Sequence, residues 1–111
     1  MQSPSYFSGI VKILENPRQK ILKNKIITTQ CRALIPQSRK NKSPKIISLS
    51  FWGTLARDIT NYYKIDDYIL IEGYVSIKNN KSKDSNILNS KKVLITILKF
   101  YPISLKIKEY S

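Results

Sequence analysis

The residues with the most informative chemistry in this sequence are aromatic rings that alternate with polar residues. Trp52 ends a run beginning at Lys45 in which apolar and polar side chains alternate, and this period of two places its ring on the outer face of a strand. Tyr74 alternates in the same way with Ser76 and Lys78. Such a ring can serve as a platform for another flat group, although a ring that packs under a loop, against a partner subunit or over nearby Ile residues has the same pattern.

Cationic side chains occupy the same kind of position. Arg32 lies on the polar face of one apolar run, and Lys12 lies on that of another. A guanidinium pairs with phosphate through its fork or lies over a base, whereas a solvated surface charge carries no function, and the pattern fits both interpretations. The remaining candidates lie in or beside two polar segments and are Arg39, Lys40, Lys42, Lys45, Lys78 and Lys81. Basic loops are commonly just solvated, but two of them beside one face favour the binding of an anion.

The composition excludes most catalytic and metal chemistry. The chain has no His and one Cys, so it offers no His general base, no Cys-His pair, no zinc site built on His or paired thiols, and no intramolecular disulfide. Cys31 alternates with Ala33, which predicts a buried small side chain. Asp66 and Asp67 are adjacent and would point to opposite faces of an extended chain, which predicts a solvated turn and not a metal pair. We therefore expect no enzyme, no cofactor and no metal.

The net charge is strongly positive, and its origin has two interpretations. The chain has 20 Lys and Arg residues against 7 Asp and Glu, a net charge of +13 at neutral pH, which favours a polyanionic partner such as a nucleic acid. Ile and Asn are also frequent, at 18 and 8 residues, and like Lys they have AT-rich codons. Codon drift in an AT-rich genome therefore accounts for part of the Lys excess, and charge alone does not identify the partner.

The elements that must position these residues are mostly strands. Apolar patterns with a period of two, or continuous apolar runs, predict five strands, which are Tyr6–Leu14, Lys25–Ile35, Lys45–Trp52, Asp67–Ile77 and Lys92–Tyr101. Residues 15–19 contain Asn16-Pro17 and are predicted to form a turn after the first strand. Polar loops are predicted at residues 36–44 and 78–91, and Pro102 is expected to end the last strand.

The apolar period changes once, directly after Trp52. Leu55, Ile59 and Tyr62 lie at helical spacing behind a Gly53-Thr54 cap, which predicts a short helix that ends near Lys64. In the last strand the alternation predicts one face formed by Val93, Ile95 and Ile97 and another formed by Leu94, Leu98 and Phe100.

This order of elements predicts an all-β, five-stranded OB-fold barrel with one short helix between strands 3 and 4. Closing the sheet removes the exposed edges that five short apolar strands would present, although an open α+β sheet has the same order. We expect one domain over residues 1–102, followed by a short basic tail at 103–111. The apolar stretches are well below the ~18 residues of a membrane span, and the N-terminus lacks the order of a secretion signal, so we expect a soluble, mature chain.

Three motifs in the right order around the helix resemble the core of bacterial single-stranded DNA-binding proteins. They are Ser-Leu-Ser-Phe-Trp-Gly-Thr-Leu-Ala at 48–56, Asn-Tyr-Tyr-Lys at 61–64 and Ile-Leu-Ile-Glu-Gly-Tyr-Val at 69–75. Ser-Gly-Ile-Val at 8–11 and Asn-Pro at 16–17 resemble the opening strand and turn of that family. Short members encoded in algal plastid genomes are similar to this chain in length and in their Ile- and Lys-rich composition.

The resemblance implies an OB fold that assembles as a homo-oligomer, a tetramer or a dimer, and coats exposed single strands during DNA replication and repair. It implies that Trp52 stands where the family places a stacking aromatic, and that binding is independent of sequence. Such binding requires a cationic groove for the backbone and aromatic platforms, each worth ~1–3 kcal/mol per stacked base. The resemblance places the protein in the plastid (chloroplast) stroma, with the bacterial cytoplasm as the alternative.

The chain departs from the family at several positions. Ile46 and Asn79-Asn80 stand where the family often has further aromatics, and the tail at 106–111 is basic where bacterial members end in an acidic peptide. Two other functions fit the same residues: an OB module for RNA, and a structural module whose aromatics form a subunit interface. The first strand has apolar residues on both faces, Ile10 and Leu14 against Val11 and Ile13, which fits burial against another subunit as well as an ordinary barrel strand.

Overall fold

The computed structural model describes residues 5–36, 45–79 and 91–103. Within these ranges the chain forms six strands and one helix, namely β1 (Ser5–Ile13), β2 (Arg18–Ile21), β3 (Ile27–Ile35), β4 (Lys45–Trp52), α1 (Thr54–Tyr62), β5 (Tyr68–Asn79) and β6 (Lys91–Pro102). The helix in the described part is far too short, and not apolar enough, to cross a membrane.

The strands form one sheet that closes into a barrel. Their order is β1-β5-β6-β4-β3-β2, and β1 also pairs with β3 at Lys12↔Leu34 and Ile13↔Ala33. The β4–β6 pair is parallel and the other pairs are antiparallel. Five strands therefore close the barrel, and β2 lies outside it along the edge of β3. The predicted OB-fold barrel with a helix between its third and fourth strands is confirmed, with β2 as an additional sixth strand.

The core follows from the period of two in each barrel strand. Every second side chain points inward, and Ile and Val pack well at these positions because their branched side chains fit a pleated surface. The buried apolar side chains of the barrel are Val11, Ile13, Cys31, Ala33, Ile47, Leu49, Phe51, Ile69, Ile71, Ile95 and Ile97, and α1 adds Ala56 and Ile59. The alternate positions of β3 and β4 therefore form the outer face of the barrel.

The end of α1 differs from the prediction. Tyr62, which was expected on the apolar face of the helix, is 75% exposed. The helix ends at Tyr62, and Tyr63 already has extended backbone angles, so the helical period no longer applies to it. Tyr63 turns inward instead, and its ring packs edge-on against Phe100 at 5.6 Å between centroids.

A β-bulge corrects the predicted faces of the last strand. Glu72 pairs with Lys99 but Gly73 pairs with Ile97, so Leu98 is an extra residue in β6 and is exposed. Phe100 was expected on the face opposite Ile97, but the extra residue turns it to the core. A Cβ on Gly73 would collide with the backbone carbonyl of Thr96, which explains why glycine follows Glu72 in the motif at 69–75.

The segments predicted as turn and loop are partly strand. Residues 15–19 were expected to form only a turn, but Arg18 begins β2, which pairs with β3 from Arg18↔Gln30 to Ile21↔Ile27. Lys78 was expected in a loop and lies in β5, paired with Lys92. The predicted loop cations Arg39, Lys40, Lys42 and Lys81 and the tail at 104–111 lie outside the described residues.

Candidate nucleic-acid interface

The outer face of β3 and β4 carries polar residues and one large ring. Cross-strand pairing places Thr28 beside Trp52, Gln30 beside Ser50 and Arg32 beside Ser48. The inward partners on these strands fill the core, so the alternation itself directs these side chains away from it. The sequence predictions that Trp52 and Arg32 each lie on the outer face of their own strand agree with this register.

Trp52 stands in the wall of a cleft. Its side chain is 44% exposed, and the cleft has a volume of about 470 Å³. The other lining residues come from the β2–β3 hairpin and are Arg18, Gln19, Lys20, Leu22, Thr28 and Gln30. The Thr28 hydroxyl donates to the carbonyl of Phe51 at 3.1 Å, which ties the hairpin to the strand that carries the indole. An aromatic wall and two cations therefore share one depression.

A second cleft of about 690 Å³ adjoins the first. Its lining residues are Glu15, Asn16, Arg18, Gln30, Cys31, Arg32, Ser48, Ile65 and Lys92. Arg18 and Gln30 line both clefts, so the two clefts adjoin, and we treat them together as one depression over β2, β3, β4 and the start of β6. We call this depression the basic groove, and its cations are Arg18, Lys20, Arg32 and Lys92.

Glu15 binds Arg32 through the backbone N–H and the Nε–H of that residue. The Glu15 Oε2 atom accepts the backbone N–H of Arg32 at 2.8 Å and its Nε–H at 3.3 Å. The hydrogen bond from the Arg32 backbone is the main cause that lowers the pKa of the Glu15 carboxyl, with smaller contributions from the guanidinium and from Arg18. Arg32 is nonetheless well exposed in the groove, with 62% of its side chain accessible.

Tyr74 lies on a different part of the outer surface. It pairs with Tyr6 on β1 and with Thr96 on β6, and its ring meets that of Tyr6 edge-on at 6.0 Å between centroids. The Tyr6 hydroxyl donates to Glu72 Oε1 at 2.7 Å, and this hydrogen bond raises the Tyr6 pKa above its usual value. We call the outward side chains of this region the tyrosine face, defined by Tyr6, Ile10, Glu72, Tyr74, Lys99 and Tyr101.

The other predicted cations are distributed around the barrel. Lys12 forms an ion pair with Asp66, with its Nζ 3.6 Å from Asp66 Oδ1, and the same Nζ lies 6.0 Å from the centroid of the Tyr68 ring. Lys45 and Lys78 are exposed, at the beginning of β4 and near the end of β5. Of the predicted residues that the structure describes, Trp52 and Arg32 are the ones that line the basic groove.

Three groove cations were not predicted from the sequence: Arg18, Lys20 and Lys92. Arg18 and Lys20 are two residues apart after Pro17, a spacing that places both on one face of a strand, and this signal was available. Lys92 had none, because it reaches the groove only through the parallel pairing of β6 with β4.

Cys31 lines the second cleft, and Asp66 and Asp67 precede β5. Cys31 is 2% exposed, and burial raises the pKa of its thiol to about 12, so the thiol stays protonated at neutral pH. Asp66, in a left-handed backbone conformation, and Asp67 form the turn before β5, where Asp67 Oδ2 accepts the backbone N–H of Lys64 at 2.9 Å. The described residues contain no group of three His, Cys, Asp or Glu side chains that could hold a metal ion.

Comparison with known proteins identifies one curated relative. The chain is 37% identical over 102 residues to the protein named "Putative single-stranded DNA-binding protein ycf41" from Trieres chinensis, and the alignment covers 91% of this chain and 90% of that protein. No protein-family model matches the sequence.

Solved structures share the fold at low sequence identity. The SSB domain of a protein from Synechococcus sp. matches with a TM-score of 0.68 and 14% identity, covering 91% of this chain and 98% of that chain. The second single-stranded DNA-binding protein (SSBb) of Mycobacterium smegmatis gives 0.68 and 17%, covering 90% and 89%. The small single-stranded DNA-binding protein of Streptomyces coelicolor gives 0.71 and 7%, covering 92% and 96%. These matches show that the barrel described above is shared with those proteins.

Proposed function

The chain belongs to the single-stranded DNA-binding protein family that includes the ycf41 protein of Trieres chinensis, and on this premise we propose that it binds single-stranded DNA without sequence preference. Bases stack on Trp52, and backbone phosphates pair with the cations of the basic groove. Stacking needs unpaired bases, because the faces of bases in a duplex are already covered. The proposal therefore includes a preference for single strands over duplex DNA.

The observation that carries this proposal is the position of the indole. Trp52 is 44% exposed in the wall of a cleft that also contains Arg18 and Lys20. A nucleotide that stacks on the ring thus has cations within the same depression for its phosphate. A Trp buried in the core would offer no platform, and an exposed Trp without neighbouring cations would offer no contact for the backbone.

We extend the binding path to the cations at the strand ends. Lys45 and Lys78 are exposed next to segments 37–44 and 80–90, which carry the predicted cations Arg39, Lys40, Lys42 and Lys81. A strand that leaves the basic groove toward Lys45 or Lys78 meets further positive charge. Lys12 is proposed as a weaker contributor, since Asp66 already neutralises part of its charge. Tyr74 is proposed as a second, weaker stacking position.

The test is binding of the protein to a fluorescent dT oligonucleotide as a function of salt concentration. Because phosphate contacts release counterions, the log-log slope of affinity against salt is expected near about −0.7 per phosphate neutralised. Trp52→Ala should weaken binding by about 5- to 100-fold at fixed salt, the loss expected for one stacked base. Because Trp52 is exposed, the variant is expected to fold, and circular dichroism checks this.

Tyr62→Ala is the matched control. Tyr62 is 75% exposed on α1 and lines neither cleft of the basic groove, so its loss should leave affinity unchanged. Equal affinities of Trp52→Ala and the wild type would remove the indole from the site, and duplex DNA that competes as well as dT would overturn the proposal. A folded RNA that outcompetes dT would instead favour an RNA-binding module. An indole fluorescence that responds to dilution and not to oligonucleotide would favour a subunit interface.

We propose that this activity serves DNA replication and repair in the plastid stroma. Single strands are exposed whenever a duplex is opened, and a protein that binds them without sequence preference protects any opened segment. The ycf41 name of the relative and the Ile-, Lys- and Asn-rich composition support a plastid genome. Fractionation of the source organism, followed by detection of the protein with an antibody, tests the location.

We further propose that the protein forms a homo-oligomer through β1. Residues 5–12 of β1 pair with β5, but on the other side only Lys12 and Ile13 pair with β3. Within the described chain, the edge of β1 over residues 5–11 therefore has no strand partner, and such an edge is a template for another strand. The exposed Ile10 and Tyr6 on the same strand would be covered by an antiparallel β1 from a second copy.

Sedimentation analysis tests the oligomer. The wild type is expected to be a dimer or larger, and Ile10→Lys is expected to shift it toward monomer because the substitution places a charge in the proposed contact. Lys99→Glu, on β6 and separated from β1 by β5, is the control for a change of charge alone. A wild-type protein that remains monomeric at micromolar concentrations would overturn this part of the proposal without affecting the assignment of the groove.

A further inference from the structure

A carboxylate stands among the cations of the basic groove. Among the described residues that line it, Arg18, Lys20, Arg32 and Lys92 carry positive charge, and Glu15 is the only acid. In a chain with 20 basic and 7 acidic residues, an acid at this position opposes the charge that a polyanion needs.

Glu15 binds Arg32, one of the cations that line the second cleft. Its Oε2 atom accepts two hydrogen bonds from Arg32, at 2.8 Å from the backbone N–H and at 3.3 Å from Nε. Glu15 is a carboxylate at neutral pH, and the hydrogen bond from the Arg32 backbone lowers its pKa below the ordinary value of 4.5. Within the described chain no acceptor bonds the Nη atoms of Arg32, so they remain open to an anion in the cleft.

The backbone around Glu15 is fixed on both sides. The N–H of Leu14 donates to the carbonyl of Arg32 at 2.9 Å, and the Asn16 side-chain oxygen accepts the N–H of Ile65 at 2.8 Å. The first bond forms where β1 closes the barrel against β3, and the second joins Asn16 to the turn before β5, so the backbone on both sides of Glu15 is held by the fold. An exposed ion pair between two free side chains would lack this constraint.

We propose that Glu15 is an anionic competitor built into the groove, which holds Arg32 in the free protein and opposes a backbone phosphate at that cation. The inference rests on the proposed binding of single-stranded DNA and adds to it a residue that limits affinity. Arg32 then contributes less to binding than its position suggests, because any phosphate that reaches its Nη atoms also approaches the Glu15 charge. Arg32 therefore adds little to the affinity of the groove for DNA, and a bound strand dissociates faster than it would without the Glu15 charge.

The test is the affinity of Glu15→Gln for a fluorescent dT oligonucleotide at low salt. Gln keeps an oxygen that can accept both hydrogen bonds and removes the charge, so the fold should be retained. Affinity is expected to rise by about 3- to 10-fold, the scale of one charge several ångströms from a phosphate near a surface. The salt slope should steepen by up to about 0.7, since Arg32 becomes available to one more phosphate.

Glu72→Gln is the matched control. It makes the same change of charge on the tyrosine face, where the Gln oxygen can still accept the Tyr6 hydroxyl. Its affinity should stay within about twofold of the wild type and its salt slope should be unchanged, since its charge lies on another face and is screened. An equal gain in Glu15→Gln and Glu72→Gln would show an effect of net charge and overturn the inference.

A double-mutant cycle with Arg32→Gln separates competition for Arg32 from general repulsion. If Glu15 acts on Arg32, Glu15→Gln should not raise the affinity for dT when Arg32 is already Gln. A rise that persists in the double variant overturns the inference. So does a Glu15→Gln single variant that binds dT no tighter than the wild type. Failure of the wild type to bind dT would overturn the proposed function instead. If Glu15→Gln is unfolded, the Glu15 carboxyl of the wild type is titrated by ¹³C NMR with and without dT. Because the repulsion is reciprocal, bound dT should raise the pKa of Glu15, and an unchanged or lower pKa overturns the inference.

Discussion

The basic groove and the tyrosine face both expose aromatic rings on the outside of the same barrel, but they differ in what surrounds those rings. Trp52 and Tyr74 are equally exposed, at 44% each. Trp52 shares its cleft with Arg18 and Lys20, whereas Tyr74 lies edge-on against Tyr6, whose hydroxyl is bound to Glu72. The groove thus combines a ring with cations, and the tyrosine face combines its rings with one another and with a carboxylate.

This difference shows that exposure alone does not identify a platform for bases. A stacked base brings a phosphate with it, so the ring must stand near positive charge that can accept the backbone. Where a ring stands near a carboxylate and other rings, its exposed surface is better suited to contact with protein. This contrast supports the proposals that nucleic acid binds mainly in the groove and that the strand edge beside the tyrosine face mediates self-association.

Reversing one charge in each region tests whether dT binding depends on the cations of the groove. Lys20→Glu changes a cation of the Trp52 cleft, and Lys99→Glu makes the identical substitution on the tyrosine face. Lys20→Glu should weaken dT binding about tenfold or more at low salt and reduce the salt slope by about 0.7, the value for one lost phosphate contact. Fluorescence anisotropy at several salt concentrations measures both quantities.

Lys99→Glu provides the control within the same experiment. It should lower affinity by no more than about threefold and leave the salt slope unchanged, because it alters the net charge without removing a phosphate contact. Equal losses in the two variants would mean that binding depends on total charge, and the basic groove would lose its special role.

A smaller effect is expected when the two rings are compared directly. Tyr74→Ala should weaken dT binding by about threefold or less, below the loss expected for Trp52→Ala, because one edge of Tyr74 already contacts Tyr6 and no groove cation stands beside it. The measurement is the same anisotropy titration at one salt concentration. A loss equal to that of Trp52→Ala would make Tyr74 a full second platform, and the tyrosine face would then belong to the binding path.

The groove was only partly predictable from the sequence, and the reason is that its residues converge through non-local pairing. Period-two alternation is a local signal, and it correctly predicted the bounds of β4, the inward face of β3 and the outer positions of Trp52 and Arg32. The cations of β2 had a weak signal, because a four-residue strand with no buried side chain lacks an apolar period. Lys92 reaches the groove through a pair of strands far apart in sequence, which no local pattern reports.

The errors in the fold have the same origin. One extra residue at Leu98 moves Phe100 to the core, where its ring meets Phe51 edge-on at 5.7 Å, and alternation cannot anticipate a bulge. The exposure of Tyr62 follows from where α1 ends, which depends on Tyr63 packing against a strand formed much later in the chain. The family motif nevertheless included Gly73, where a Cβ would collide with the backbone of β6.

The smallest expected effect concerns the carboxylate of the groove and the pH dependence of stability. The Glu15 pKa lies below its ordinary value of 4.5 in the folded protein because the Arg32 backbone N–H and guanidinium bind the ionised form. Its contribution is therefore fully present above about pH 4.5 and is lost as the pH falls through the lower folded value. Because the pair is exposed, this contribution is about 0.5 kcal/mol or less. Thermal unfolding should show the wild type slightly more stable than Glu15→Gln at pH 7, with the difference shrinking as the pH is lowered below 4.5. A difference that stays constant across this range would mean that the charge of Glu15 does not bind Arg32 in solution, and the contrast between the two regions would then rest on the cations alone.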